Sequence, residues 1–337
     1  MFSRLLAAIL LIVVAAALLV AAWPQLFGLQ RTFVVAQLVS FRGSAVAIAV
    51  IGMIVLVLLA MLSRAFRRLG SSLALLLLVF AMVSTAVLAT RGFGDTAFST
   101  KGKSDITVLS WNTLGDAPGA EVIAKLALDS SADIVTMPET TKETALAVAA
   151  IMKASGRPMW EHTVAFDQIS KARSTSVLTS VDLGTYHPLE TAGSTTTLPT
   201  VVLAPDDGNG PLIVAAHPVA PIPSEMRNWN ADLKWLSKVC ESKNVIVAGD
   251  FNSTLDHLAG FGADATHTLG NCADAALSSG NAAVGTWPTT IPALFGAPID
   301  HVMVTDNWRV TGMRVVQDLD TAGSDHRPIV VQLEPKG

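Results

Sequence analysis

The sequence predicts a mixed α/β sandwich of two sheets behind an N-terminal set of transmembrane helices. Three observations carry this. No Asp or Glu precedes Asp95, so all 27 acids lie in the remainder of the chain. Three long apolar runs fill the acid-free part. Beyond it, many short apolar runs alternate with a few amphipathic segments, and no internal repeat or low-complexity tract interrupts them.

The first apolar run, Leu5–Ala22, has no charged or polar side chain. At the helical rise its length is about 27 Å, close to a hydrocarbon core. Gly43–Leu62 and Leu69–Ala89 are further spans, broken only by Ser, Thr or Gly. Two spans follow the first, and no small-x-small pattern ends it, which favours an anchor over a cleaved signal peptide. Residues 1–90 therefore read as a three-helix membrane anchor. Arginines set its orientation, because positive residues stay on the cytoplasmic side. Arg4 and the short loop Ser63–Arg68, with Arg64, Arg67 and Arg68, go inside. The first loop, with Arg31 and Arg42, and everything after Ala89 then lie outside the cytoplasm. The spans contain no Asp, Glu, Lys or His, so ion transport through them is not expected.

Residues 91–104 are small, polar and glycine-bearing and read as a linker. Residues 105–337 form the second unit, long enough to bury one substantial core. Its expected strands are Ile106–Trp111, Asp133–Met137, Thr175–Leu178, Thr200–Leu203, Leu212–Ala216, Val245–Ala248, Ile299–Val304, Trp308–Val316 and Ile329–Leu333. Ala120–Leu128, Thr141–Ala154 and Ser224–Cys240 read as helices, the last starting at Ser224 with Glu225 at the positive end of its dipole. The formal charge of −4 is uneven. Seven of the 23 basic residues, all Arg, lie in the first 94 residues, leaving 16 against 27 acids. A wholly soluble protein and a basic nucleic-acid binder are excluded. Two cysteines, Cys240 and Cys272, exclude a disulfide scaffold, although an outside location would permit one bond between them.

Polar residues gather at the strand ends. The first strand ends Ser110-Trp111-Asn112 and the second Met137-Pro138-Glu139. Later strands end in His217 and in Gly249-Asp250-Phe251-Asn252. Ile299-Asp300-His301 opens another, and Gly323-Ser324-Asp325-His326-Arg327-Pro328 precedes the last. Strand-end loops are where catalytic groups are usually presented. His301 follows Asp300 and alternates to the opposite face, so it reads as structural. His162, His187, His257 and His267 read as surface or core residues, Arg173 and Arg227 as solvated cations, and Trp229 and Trp235 as packing residues.

In this order the motifs resemble those of the endonuclease/exonuclease/phosphatase superfamily, which includes deoxyribonuclease I, exonuclease III, apurinic endonucleases, neutral sphingomyelinases and inositol polyphosphate 5-phosphatases. The resemblance covers about Asp105–Glu334, and its specific parts are Ser110-Trp111-Asn112, Glu139, GDFN at Gly249–Asn252, Ile299-Asp300-His301 and SDHRP at Ser324–Pro328, with GDFN and SDHRP together the strongest. It implies a four-layer α/β sandwich and a metal-dependent phosphoric ester hydrolase using Mg²⁺ or Mn²⁺. It assigns Asn112, Glu139 and Asp325 to the metal site. Asp250 would activate the attacking water, with Asn252 donating to the phosphate. His326 would stabilise negative charge on the phosphoryl oxygen, Asp300 would fix its tautomer, and His217 would touch the substrate phosphate.

The sequence departs from the apurinic endonucleases. Leu114 stands where they carry an aspartate, the only tyrosine is Tyr186, and Ser174–Ser180 lacks their usual glycine and arginine. Abasic-site repair is therefore not indicated. The expected substrate is a phosphoester, whether lipid headgroup, nucleotide or nucleic acid, with no basic patch evident for the last. The expected membrane partner is the bilayer around the N-terminal helices, and the sequence gives no oligomeric state. An extracytoplasmic nuclease and a non-catalytic anchored binding module are the alternatives. Retention of all the motif residues argues against the second.

Overall fold

The central short runs after residue 105 are apolar at nearly every position, so as strands they bury one face in each of two cores. The computed structural model describes residues 2–336 apart from Thr96 and Gln168. Met1, Gly337 and the linker residue Thr96, which fall within the expected units, lie outside the described residues. Four helices come first: α1 (Phe2–Ala22), α2 (Val35–Ser40), α3 (Arg42–Leu62) and α4 (Arg67–Arg91). The sandwich then runs β1 (Ile106–Ser110), α5 (Gly119–Asp129), β2 (Ile134–Pro138), α6 (Lys142–Ala154), β3 (Met159–Ala165), β4 (Ser174–Ser180), β5 (Tyr186–Pro188), β6 (Val201–Pro205) and β7 (Leu212–Ala216). It continues through α7 (Met226–Val239), β8 (Val245–Asp250), α8 (Leu255–Leu258), β9 (Ala273–Asp274), α9 (Ala275–Ser278), β10 (Asp300–Val304), β11 (Trp308–Val315) and β12 (Ile329–Pro335).

The strands form two six-stranded mixed sheets, ordered β11-β12-β1-β2-β4-β3 and β5-β6-β7-β8-β10-β9. One core lies between them, with Val108, Ile134, Val177, Ala215, Ile246, Val302 and Val331 facing inward. The alternate residues Leu109, Val135, Met137 and Leu178 face outward onto Ile123 and Ala127 of α5 and Val148 and Met152 of α6. Val214, Val247 and Met303 meet Trp229, Leu233 and Leu236 of α7. The result is a four-layer α/β sandwich. Each large side chain buried this completely contributes about 1.5–3 kcal/mol. All nine expected strands are present, with ends shifted by a residue or two. The third helix starts later than expected: Glu225 occupies the N-cap position without a side-chain bond, and Ser224 lies outside it.

In each sheet a parallel pair sits at the centre, β1 with β2 and β7 with β8. Their C-terminal ends lie at one edge of the sandwich. The antiparallel neighbours β10 and β12 start there, since Asp300 pairs with Asp250 and Ile329 with Ser110. This topology brings the motif residues, far apart in the chain, to one edge.

Three helices, Arg4–Ala22, Arg42–Leu62 and Arg67–Arg91, are long and apolar enough to cross a membrane. They pack on each other through small residues such as Ala49 and Ala81, and leave Ile12, Ile48 and Leu62 exposed. Apolar helices with bare outer faces belong in lipid, so the chain reads as a multi-pass membrane protein.

The anchor is clamped to the sandwich. Asp256, 2% exposed, accepts bonds from Arg42 Nη2 at 2.8 Å and from Arg91 Nη1 and Nη2, both at 2.9 Å. Burial alone would raise the Asp256 carboxyl, but the two guanidiniums outweigh it and hold the group far below the usual carboxylate range. Arg42 also bonds Ala22 O at the end of α1. Arg31 reaches the carbonyls of His257 and Ala259 at 2.7 and 2.9 Å. The ring of His257 joins Thr254 N to Ala36 O. The segment 91–104 is pinned as well: Ala282 N donates to Arg91 O and Ala283 N to Gly92 O, and Phe98 bridges to Gly312, where an added Cβ would lie 2.4 Å from the Phe98 ring.

Cys240 at the end of α7 is disulfide-bonded to Cys272. His301 behaves as its alternation predicts. It faces away from the cleft, bonded to Asp274 Oδ2 at 2.7 Å and Ser253 O at 2.8 Å.

Candidate active site

Strand β8 runs straight into the GDFN segment. Gly249 has no alternative, because a Cβ there would fall 2.0 Å from Ala216 O on the neighbouring strand. Asp250 is 2% exposed. Its Oδ1 accepts the Asn252 backbone N–H at 2.8 Å, and its Oδ2 accepts Asn112 Nδ2 at 3.0 Å and Asn252 Nδ2 at 3.3 Å. Burial, reinforced by the nearby Asp300 charge and only partly offset by His326 and these bonds, raises the Asp250 carboxyl to about 7. Asn252 and Glu139 both adopt positive φ, 46° and 56°. Such backbone strain in non-glycine residues is typical of functional sites.

Asn112 links the two sheets. Its amide nitrogen donates to Glu139 Oε1 and to Asp250 Oδ2, both at 3.0 Å, while its oxygen accepts the Leu114 backbone N–H at 3.0 Å. The amide oxygen expected to hold a cation accepts this one N–H and keeps a second lone pair.

His326 Nδ1 bonds Asp300 Oδ2 at 2.9 Å, and its Nε2 lies 3.8 Å from Asp250 Oδ2 and 3.9 Å from Asp325 Oδ1. Burial alone would lower this imidazole. Asp300, Asp250 and Asp325 outweigh it and raise the ring to about 10. Below that value it is a cation and donates from both nitrogens. Trp111 Nε1 holds His326 O at 2.9 Å, and Ser324 Oγ accepts the His326 backbone N–H at 3.0 Å.

His217, expected on a substrate phosphate, is not among the residues that line the cleft. It is completely buried behind Glu139, with Nδ1 3.3 Å from Thr175 Oγ1 and Nε2 3.9 Å from Glu139 Oε1. Burial, aided by the charge of His326, lowers its imidazole to about 3, so it is neutral. Its Nε2 has no partner, nor do Oδ1 of Asp300 and of Asp325.

Asn112, Glu139, His217, Asp250, Asn252, Asp300, Asp325 and His326 thus form one connected network. Glu139, Asp250, Asn252, Asp325 and His326 line a cleft of about 460 Å³. Asp250, Asp300 and His326 offer ligand atoms within 4.8 Å of one another, a cluster that could hold a divalent cation. Oxygen donors suit a hard cation better, and the exposed edge of the network supplies them from Glu139 and Asp325.

Some contributors escape a sequence reading. Trp287 Nε1 holds Asp325 Oδ2 at 2.8 Å. Arg327, buried under the loop that carries Trp287, bonds the carbonyls of Gly285, Pro288, Thr289 and Ile291. Gln37, Ser40 and Phe41 from the anchor line the same cleft. Only the position of Arg327 within SDHRP gave any signal. Arg173 is not a free cation, since it pairs with Asp167 at 2.9 Å. Trp229 and Trp235 pack as expected, each with its indole N–H on a carbonyl.

Residues 109–326 match the model of the Endonuclease/Exonuclease/phosphatase family. No curated protein matches the chain. Among solved structures, the endonuclease/exonuclease/phosphatase from Beutenbergia cavernae DSM 12333 is similar at 20% identity and TM-score 0.54, over 70% of this chain and 72% of that one. Humanized D. rerio TDP2 has 14% identity and TM-score 0.53, over 69% of this chain and all of that one. The endonuclease/exonuclease/phosphatase from Bacteroides vulgatus has 18% identity and TM-score 0.51, over 69% of this chain and all of that one. These likenesses show a shared fold.

Proposed function

Because the chain belongs to the Endonuclease/Exonuclease/phosphatase family, we propose that it is a membrane-anchored phosphoesterase that uses Mg²⁺ or Mn²⁺ to hydrolyse a phosphodiester or phosphomonoester by in-line attack of water. The observation that carries this reading is the network in which Asp300, His326, Asp250, Asn112 and Glu139 join the two sheets at one cleft.

Each residue has a part. Asp250, held by the Asn252 and Asn112 donors, takes the proton of the attacking water. The oxygen of that water forms the new bond to phosphorus, and the ester oxygen leaves with its bonding pair and takes a proton from solvent. His326, kept cationic and oriented by Asp300, donates to the phosphoryl oxygen where charge accumulates. Asn252, whose Nδ2 donates to Pro218 O at 3.0 Å and to Asp250 Oδ2 at 3.3 Å, positions that carboxylate. His217, neutral and buried, sits behind Glu139 with its Nε2 3.9 Å from Oε1. Glu139 and Asp325 are the residues that would hold the cation, with Asn112 fixing Glu139 against Asp250. When bound, the cation supplies Lewis-acid neutralisation of phosphate charge.

The orientation with the N-terminus inside and the sandwich outside fits the same picture. The loop arginines Arg64, Arg67 and Arg68 mark the inner side. The outer arginines Arg31, Arg42 and Arg91, which count against that rule, are engaged by the sandwich. The Cys240–Cys272 bond suits an oxidising compartment.

The test uses the full chain in bilayer nanodiscs with p-nitrophenyl phosphate, bis(p-nitrophenyl) phosphate, duplex DNA and phospholipid. Hydrolysis of at least one is expected with Mg²⁺ or Mn²⁺, lost in chelator and restored by readdition. Undiminished hydrolysis in excess chelator would sink the proposal.

A further inference from the structure

The catalytic cleft is walled on one side by the membrane anchor. Phe41, the residue before the span that begins at Arg42, lies with its ring centroid 5.7 Å from that of Trp287. Trp287 in turn holds Asp325. Gln37 donates from Nε2 to Pro221 O on the opposite lip. Above the polar floor the cleft is apolar, with Phe41, Val219, Pro221, Ile222, Trp287 and Ile299 facing it. Among the described residues that line it there is no Lys or Arg. A cleft built for a polyanionic strand would need such cations.

The surroundings of the cleft are those of a membrane surface. All three spans meet the sandwich at one level, since Arg42 bonds Ala22 O and joins Arg91 on Asp256. The loop between the first two spans exposes Trp23, Leu26, Phe27, Phe33 and Leu38, each more than half exposed. In water such a surface is costly. At the boundary of a bilayer it is an interfacial belt, and Trp is favoured there. Ile222, which lines the cleft with Gln37 and Phe41 of the anchor, is 50% exposed.

We infer that the cleft takes a membrane amphiphile, with its phosphoester head at Asp250 and His326 and its apolar portion along Phe41, Ile222 and Trp287, entering from the bilayer surface. This rests on the phosphoesterase reading and adds a substrate class to it. It also assigns Phe41, a residue of the anchor, to substrate binding, so the site is incomplete without the membrane segment.

The test is a chain-length series given to the full chain in nanodiscs with Mg²⁺ or Mn²⁺. Methyl, butyl and hexyl p-nitrophenyl phosphodiesters, and the matching alkyl phosphomonoesters, are compared by kcat/KM. Each methylene that leaves water adds up to a few-fold, so a rise of at least about tenfold from methyl to hexyl is expected. Phe41→Ala and Ile222→Ser are expected to flatten that slope, which is read separately from the overall rate. If a variant fails to fold, the wild-type slope still decides. A flat wild-type series with measurable hydrolysis overturns the amphiphile assignment and leaves the phosphoesterase reading standing. Faster cleavage of duplex DNA than of any alkyl ester also overturns it. No hydrolysis of any member or of DNA removes both readings together.

Discussion

Replacing His326 by Ala is expected to lower turnover about 10²–10³-fold while the full chain still folds, the usual cost of one donor to developing charge. The ring is nearly buried and its Nδ1 is fixed by Asp300 at 2.9 Å, so its donor geometry is set before any substrate arrives. Asp250→Asn should cost a similar factor, because the amide keeps the shape but cannot accept the proton of water. The wild-type pH profile has a sign. In the proposed mechanism Asp250 acts as the carboxylate, so the rate is expected to fall as pH drops through the value near 7 to which burial raises it. A cation held beside it stabilises the carboxylate and moves that limb lower. Steady-state rates across pH, with circular dichroism of each variant, check this. Near-normal turnover in either variant removes that residue from the mechanism.

Asp256→Ala is the second large effect. It leaves the guanidiniums of Arg42 and Arg91 buried, 4% and 13% exposed, with no carboxylate between them. Breaking one partner of a buried ion pair costs about 3–5 kcal/mol. The expected result is a marked drop in the thermal midpoint of the full chain in nanodiscs, with faster hydrogen exchange in residues 23–41 and 254–261. Replacing Asp256 by Leu together with Arg42 and Arg91 by Met should recover most of the loss, since apolar substitutes often match a buried ion pair. An unchanged midpoint in Asp256→Ala would show that the clamp does not hold the anchor to the sandwich.

Local pattern made much of this molecule readable. Short apolar runs marked the central strands, and long uncharged runs marked the spans. The strands that escaped notice lacked that signal. β3 carries Glu161 and His162 on a half-exposed edge, β5 is three residues ending at Pro188, and β9 is only two residues. The candidate site was legible because the motif residues sit beside strands whose ends the topology aligns. What stayed hidden was long-range. The direction of the Asn112 amide depends on the Leu114 N–H, and the burial of His217 depends on Glu139 and Thr175. The outer arginines looked like imperfect topology signals. Arg42 and Arg91 instead meet Asp256, whose partners lie 214 and 165 residues away. No local window could connect them.

The central claim is that this network directs water onto phosphorus. The most direct measurement is turnover of hexyl p-nitrophenyl phosphodiester and hexyl phosphate in heavy-oxygen water by the full chain with Mg²⁺ or Mn²⁺, followed by mass spectrometry of both products. One heavy oxygen is expected on the phosphoryl product and none on the released alcohol, with the signal lost in His326→Ala. Heavy oxygen on the alcohol, or the same yield from His326→Ala, would contradict it.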